Sequence, residues 1–257
     1  MRFLLEVLAT LLFVLVDTVL GVVRDAVRIA LAPRSFLAKS RAVRFVRFEH
    51  RAWFTGFPLS VQFYARTQRR KRNHSESAVP TINWKGVLSM KDPFELALYP
   101  LLLWELKPAT IIELGSYIGG SAMWLADLLS IMGVDGRVYS FDIDPSRVQV
   151  QHDRVTFEYA NCEDLSTLPT SRLKDLPHPW LVIEDAHRNV YKILRYFDAL
   201  LWPGDYVVVE DVLNPRNYWG LRRFARESNG RYLVDTQFTD MFGYNATWNF
   251  NGYLRRG

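Results

Sequence analysis

Only one cysteine, Cys162, occurs in 257 residues. An internal disulfide is therefore excluded, and so are the cysteine-rich zinc folds that need paired thiolates. A reducing compartment is compatible with that single thiol. Internal repeats and low-complexity tracts are also missing, which removes solenoid and repeat architectures. What remains is 49% hydrophobic and 23% charged, the balance of a folded chain rather than a disordered one. The length suits one domain with an appendage, or two small domains. Aromatic residues are plentiful at 14% and point to a packed, membrane-adjacent surface.

Acidic residues are scarce at one end. Residues 1–72 hold 14 Lys and Arg against 4 Asp and Glu, a net of +10, whereas residues 73–257 hold 18 against 23, a net of −5. A basic arm on a mildly acidic body suggests an acidic partner surface, either anionic lipid or nucleic acid. Residues 3–31 are mostly apolar, yet Glu6, Asp17, Arg24, Asp25 and Arg28 interrupt them. At 3.6 residues per turn, Glu6, Thr10, Asp17, Gly21, Arg24 and Arg28 share one narrow stripe. The pattern predicts one long helix with a thin polar seam.

Glu6 and Asp17, together with the lack of a small-residue cleavage site, argue against a cleaved signal peptide. A spanning helix would carry acidic groups into the bilayer at roughly 2.5–3.5 kcal/mol each, whereas a helix in the interface keeps the seam wet. Packing onto the body, or onto a second subunit of a homo-oligomer, is the other reading. Further on, Arg41, Arg44, Arg47 and Arg51 alternate with Phe45, Phe48, Trp53, Phe54 and Phe57, and Arg69-Arg70-Lys71-Arg72 follows. Basic residues beside anionic lipid contribute about 1 kcal/mol each. The positive-inside rule then keeps everything after Arg24 in the cytoplasm, at the cytoplasmic face of a membrane. No RNA- or DNA-binding signature accompanies the basic residues, which argues against nucleic acid. The expected organisation is a helical arm over 1–72, a linker over 73–80 and one domain over 81–257.

In the body, Asp92 reads as an N-cap with Pro93 at the first helical position. Strands are expected at Thr110–Leu114, Arg137–Ile143, Val155–Tyr159, Trp180–Ile183 and Tyr206–Val209. Helices are expected at Gly119–Ile131, Val190–Leu201 and about Tyr218–Glu227. Short apolar runs separated by helices indicate parallel strands buried on both faces. Tyr232–Phe238 and Thr247–Leu254 alternate and read as a closing antiparallel pair. The expected fold class is α/β, a doubly wound and mostly parallel sheet with that antiparallel pair, plus the N-terminal helical arm.

Thr110 to Ser121 reads Thr-Ile-Ile-Glu-Leu-Gly-Ser-Tyr-Ile-Gly-Gly-Ser. A buried strand would end at Glu113, and Gly115, Ser116, Gly119, Gly120 and Ser121 would turn the chain into a helix whose free amides face a negative group. Tyr117 stands where a dinucleotide fingerprint needs glycine. Without that glycine a pyrophosphate cannot approach closely, so a cofactor with a carboxylate at this point, S-adenosylmethionine, suits the turn better. Asp142 ends the next strand, where it could accept both ribose hydroxyls. Asn161, Cys162, Glu163 and Asp164 follow the third, where adenine would lie.

Asp185 and Glu210-Asp211 end two further strands. Parallel sheets bind ligands outside the carboxyl ends of their strands, so three carboxylates would meet at one rim. Such a cluster repels itself unless compensated, and a hard divalent ion suits its oxygens, Mg²⁺ first, with Ca²⁺ or Mn²⁺ acceptable to the same donors. Pairing with Arg188, Arg216 or Arg222 is the alternative. His187, two residues past Asp185, could take a proton near neutral pH. Arg188 could not, because guanidinium does not deprotonate in proteins.

These residues resemble a known family. Trp84-x-Gly86, Pro93-x-x-Leu96-x-x-Tyr99 and Lys107-Pro108 lead into Ile112-Glu113-x-Gly115-x-x-x-Gly119-Gly120-Ser121. Phe141-Asp142-Ile143-Asp144, Asp185-x-His187 and Pro203-Gly204-x-Tyr206-x-Val208-Val209-Glu210-Asp211 follow in order, with Asn249-x-Asn251-Gly252-Tyr253-Leu254 at the tail. Over about residues 82–257 the pattern resembles the cephalosporin hydroxylase/rhamnosyl O-methyltransferase family. The resemblance implies a seven-stranded, Rossmann-like methyltransferase fold that uses S-adenosylmethionine and Mg²⁺ on a hydroxyl of a sugar, glycolipid or antibiotic precursor. It places metal ligands at Asp185, Glu210 and Asp211, and cofactor contacts at Glu113, Gly115, Asp142 and Cys162–Glu163. In the related catechol methyltransferases a lysine base stands three residues after the first metal aspartate. Arg188 holds that position here, which moves the expected base to His187. The expected acceptor is a small-molecule or lipid-linked sugar. A nicotinamide-dependent oxidoreductase and a non-catalytic scaffold are the rival readings.

Overall fold

Apolar runs of four to six residues build the centre of an eight-stranded sheet. The computed structural model describes residues 44–51 and 82–257, with five helical positions nearer the N-terminus, Leu12, Leu15, Val16, Val19 and Val23. The expected linker over 73–80 and most of the expected arm lie outside the described residues. In chain order the strands are β1 (Phe45–Arg47), β2 (Asn83–Trp84), β3 (Val87–Leu88), β4 (Thr110–Leu114), β5 (Arg137–Asp142), β6 (Val155–Tyr159), β7 (Trp180–Glu184), β8 (Tyr206–Val209), β9 (Tyr232–Asp235) and β10 (Tyr253–Arg256). The helices are α1 (Pro93–Leu106), α2 (Gly120–Ile131), α3 (Thr170–Lys174), α4 (Val190–Asp198), α5 (Pro215–Glu227) and α6 (Thr236–Thr239).

The sheet runs β1-β9-β10-β8-β7-β4-β5-β6, with β2 and β3 in a separate hairpin. Strands β8, β7, β4, β5 and β6 are parallel, while β10, β9 and β1 are added antiparallel in turn. Every residue of β4 and β7 is buried, because helices cover both faces. On one face Ile112, Val182 and Phe197 pack with Leu221 and Phe224 of α5. On the other Ile111, Leu181 and Ile183 pack with Leu98 and Leu102 of α1 and Leu125 of α2. Chain order reverses between β4 and β7, and a ligand crevice opens at such a point.

The start of α1 follows its sequence signals. Asp92 Oδ1 accepts from Glu95 N at 2.8 Å, and Glu95 Oε2 accepts from Asp92 N at 2.8 Å, a reciprocal cap ahead of Pro93. Two expectations need correction. The closing strands are shorter than read, because Asp235 Oδ1 accepts from Gln237 N at 3.0 Å and caps α6, and because Asn245 and Asn251 turn with φ of 49° and 50°. The strand count rises to eight because Phe45–Arg47, assigned to the arm, pair with β9.

The same pairing changes the role of the arginines there. Arg44 donates to both oxygens of Asp235, at 2.9 and 2.7 Å, and reaches Glu105 at 2.6 Å. Arg51 is buried and donates to Asn251 Oδ1 at 2.7 Å and to both oxygens of Asp240, at 2.7 and 2.6 Å. These two cations are bound to the body, not free for lipid. Arg51→Ala should therefore lower the unfolding free energy by about 3 kcal/mol, by stranding the Asp240 carboxylate. Urea denaturation of the variant and the parent measures the difference.

Candidate active site

The bend after β4 can form only where side chains are missing. Gly115 has φ of +106°, and a Cβ there would lie 2.7 Å from Asp185 O. Gly120 opens α2 so close to the β2–β3 hairpin that a Cβ would lie 2.0 Å from Leu88 O. Gly119 also turns the chain, with φ of +87°, and a Cβ there would meet Val150 Cγ2 at 2.6 Å and Phe157 Cζ at 2.9 Å. Beside this bend lies a hollow of about 570 Å³. Its wall includes Gly115, Ser116, Gly120, Ser121, Asp142, Cys162 and Glu163, with Asp185 and His187 at one side. Of the expected cofactor residues, Glu113, Gly119 and Asp164 are off that wall.

Glu113 stands behind the bend, fully buried, with Ser140 Oγ donating to its Oε2. Its Oε1 has no partner, and burial pushes the carboxyl above its ordinary range. Asp142 is partly committed to the backbone, accepting from Tyr117 N at 2.8 Å and Asp144 N at 2.9 Å. Burial pushes the Cys162 thiol up to about 12, so it is no nucleophile at neutral pH.

At the ends of β7 and β8 the expected carboxylates do converge, around two cations. Lys91 Nζ donates to Asp185 Oδ2 at 2.7 Å and also to Glu210 Oε2. Tyr99 donates its hydroxyl to Glu210 Oε1. His187 Nε2 lies 3.2 Å from Asp185 Oδ1 and 3.2 Å from Asp211 Oδ2. Among the described residues Arg188 reaches only Glu163, at 4.0 Å, and lysine and histidine pair with these acids in place of the arginines of the expected alternative. Among the described residues, no group of three or more acidic, cysteine or histidine side chains is arranged as it stands around a metal position.

These contacts set the charges. Burial works against the Asp185 carboxylate, but Lys91 and His187 outweigh it and hold it well below the usual range. Burial and the charge of Asp185 push Glu210 well above its own. Burial would lower His187, yet the hydrogen bonds and charges of Asp185 and Asp211 hold it up at about 11. In this arrangement the imidazole is a counter-ion rather than a base.

Five supporting residues were not expected as site residues. Lys91 stands two residues before α1, and Glu95 and Tyr99 lie one turn apart within it, so the entrance of the helix meets the β8 end. Asn249 donates its amide to Glu95 Oε1 at 3.1 Å, and its Oδ1 accepts from Asp211 N at 3.0 Å. Asn217 Nδ2 lies 3.2 Å from His187 Nδ1 and donates to the carbonyls of Glu210 and Asp211 at 3.3 and 3.2 Å. Tyr99 and Asn249 did fall on quoted family positions, a signal that could have marked them.

Comparison with known proteins gives a consistent result. A sequence model of the family described as Rhamnosyl O-methyltransferase/CmcI matches residues 76–257. A rhamnosyl O-methyltransferase of Mycobacterium leprae is 31% identical over 193 residues, 68% of this chain and 83% of that protein. One from Mycobacterium tuberculosis is 27% identical over 192 residues, 67% of this chain and 75% of that protein. A structure of CmcI with Mg and SAM superposes with a TM-score of 0.61 at 33% identity, covering 71% of this chain and 78% of that one. An apo-structure of CmcI gives 0.60 at 31% identity, covering 74% and 83%.

Lys91→Ala should strand two carboxylates that now share one ammonium, at a cost of about 3–5 kcal/mol. Chemical denaturation checks this, and a variant as stable as the parent would show that Asp185 and Glu210 do not depend on Lys91.

Proposed function

This chain belongs to the rhamnosyl O-methyltransferase/CmcI family and is an S-adenosylmethionine-dependent O-methyltransferase, and from that premise we propose that it methylates a sugar hydroxyl with the help of Mg²⁺. Family membership sets aside the nicotinamide and scaffold alternatives. The observation that carries the proposal is the meeting of Asp185, Glu210 and Asp211 at one rim beside the 570 Å³ hollow. Glu113, Gly115, Ser116, Gly120, Ser121, Asp142, Cys162 and Glu163 are proposed to hold the cofactor, with Gly119 shaping the bend. The named activity of the mycobacterial relatives favours a rhamnose-like acceptor, free or lipid-linked.

The donor set fits a hard divalent ion. Three carboxylates come from two adjacent strand ends, an all-oxygen set of the kind such ions take. The Asp211 side chain is 52% exposed, so it would be free to join Asp185 and Glu210 in holding such an ion. Ca²⁺ or Mn²⁺ would suit the same oxygens. When bound, the ion supplies positive charge that acidifies an acceptor hydroxyl. With Asp185 and Asp211 so engaged, His187 would lose the charges that keep it protonated, and its neutral imidazole would be able to take the hydroxyl proton. The protein's remaining task is to align the alkoxide with the sulfonium methyl and keep water away.

Five apolar residues support a membrane role for the arm. Leu12, Leu15, Val16, Val19 and Val23 are all helical and between 49% and 62% exposed. Their spacing of three, four, seven and eleven puts them on one face, as for a helix lying in the interface. Among the described residues no helix is long and apolar enough to cross a membrane. A cytoplasmic membrane face would bring the enzyme to a lipid-linked acceptor.

Chelation should abolish methyl transfer, and Asp185→Ala and His187→Ala should each lower kcat about 100-fold or more. Labelled methyl transfer into a rhamnosyl acceptor measures all three. Full activity in chelator would end the metal proposal. Removing residues 1–43, which spares β1, should release the protein from anionic vesicles in a flotation assay. Unchanged flotation would end the membrane proposal.

A further inference from the structure

A second hollow, of about 240 Å³, adjoins the cofactor hollow and shares its Glu163, His187 and Arg188 wall. Its far side is made by the first residues of α4 and by Arg216, Asn217 and Gly220 of α5. Gly220 lets the helices close there, since a Cβ would lie 3.0 Å from Tyr191 N.

Two independent features of this wall point to a ligand. First, Asn217 is fully buried, yet its Oδ1 accepts no hydrogen bond. The Nδ2 of the same amide donates to the carbonyls of Glu210 and Asp211. Turning the amide over would let its oxygen accept from His187 Nδ1, 3.2 Å away, but would set it against those two carbonyls and lose both of their hydrogen bonds, so the unpartnered atom is an acceptor. A buried acceptor without a donor is unfavourable, and a ligand hydroxyl is a donor of the right kind. Second, the hollow carries uncommitted positive charge. Arg216 makes no ion pair among the described residues. Arg188 is 4.0 Å from Glu163, and both of those side chains are more than half exposed, a pair that holds weakly in water.

We propose that this hollow is the acceptor subsite, and that it takes a sugar ring carrying an anionic substituent, with a ring hydroxyl donating to Asn217 Oδ1 and the anion between Arg188 and Arg216. The inference rests on the O-methyltransferase reading above and adds the charge of the acceptor and the residues that select it. The volume falls below the roughly 300–1,000 Å³ of pockets that enclose drug-sized molecules, so it suits one ring rather than an extended glycan. Since His187 belongs to both hollows, a ring seated here sets a hydroxyl beside the imidazole and facing the cofactor. Guanidinium binds planar anions with two parallel hydrogen bonds. Phosphate and carboxylate substituents would both satisfy the pair, and the test separates them.

The experiment is calorimetry of the full chain saturated with S-adenosylhomocysteine, using a hexose 1-phosphate, the matching hexuronic acid and the neutral hexose as probes. At least one anionic sugar should bind about tenfold tighter than the neutral one. Arg216→Ala, at an exposed position, should erase that preference and leave S-adenosylhomocysteine affinity unchanged. Asn217→Ala should weaken all three sugars together; if that variant does not fold, Arg216→Ala alone decides. Equal binding of all three probes by the parent, or a preference that survives Arg216→Ala, overturns the subsite. Failure of the parent to bind S-adenosylhomocysteine would instead overturn the methyltransferase reading.

Discussion

The structure at the crevice depends on one buried ammonium. Lys91 is 1% exposed and lies between Asp185 and Glu210, which end two parallel neighbours. Register brings these carboxylates together whatever their charge, because Glu184 pairs with Val209 and the chains leave the sheet side by side. Two acids so placed away from water would repel, and burial alone would favour their neutral forms. Lys91 reverses that for Asp185 and ties the entrance of α1 to the sheet. Tyr99 and Glu95 follow it on the first turns of α1, so a helix packed for hydrophobic reasons also carries polar partners of the site.

This arrangement separates two kinds of acid at the rim. Glu210 is enclosed, with both oxygens occupied by Lys91 and Tyr99, and it anchors. Asp211 is half exposed and held at its backbone by Asn249, and it can move. Asp185 stands between them and touches both cations. The rim therefore holds one fixed, one shared and one mobile carboxylate.

Much of this was legible in the chain itself. Strands β4 and β8 fall where the apolar runs place them, because burial on both faces leaves a strong signature, and the partly buried edge strand β6 also keeps its expected bounds. Gly115 and Gly120 were legible because close backbone approach leaves no other residue type. Lys91 was not, since its partners stand 94 and 119 residues away and no local pattern distinguishes it from a surface lysine. Strand β1 was hidden for a related reason. It is three residues long and lies amid arginines, and its ladder partner stands nearly two hundred residues on. Basic and aromatic residues in alternation looked like a lipid-binding surface, whereas Arg44 and Arg51 are held by Asp235 and Asp240.

The position of β1 has a practical side. It covers the outer flank of β9, so the sheet ends in a short strand studded with charge, a form that discourages pairing between molecules. The family match begins only at residue 76, and a protein trimmed to that point would bare the backbone of β9 along with two acids robbed of their guanidinium partners. Such a fragment would keep the whole crevice and still tend to associate through its naked rim, so poor solubility in it would say nothing against the catalytic half of the fold.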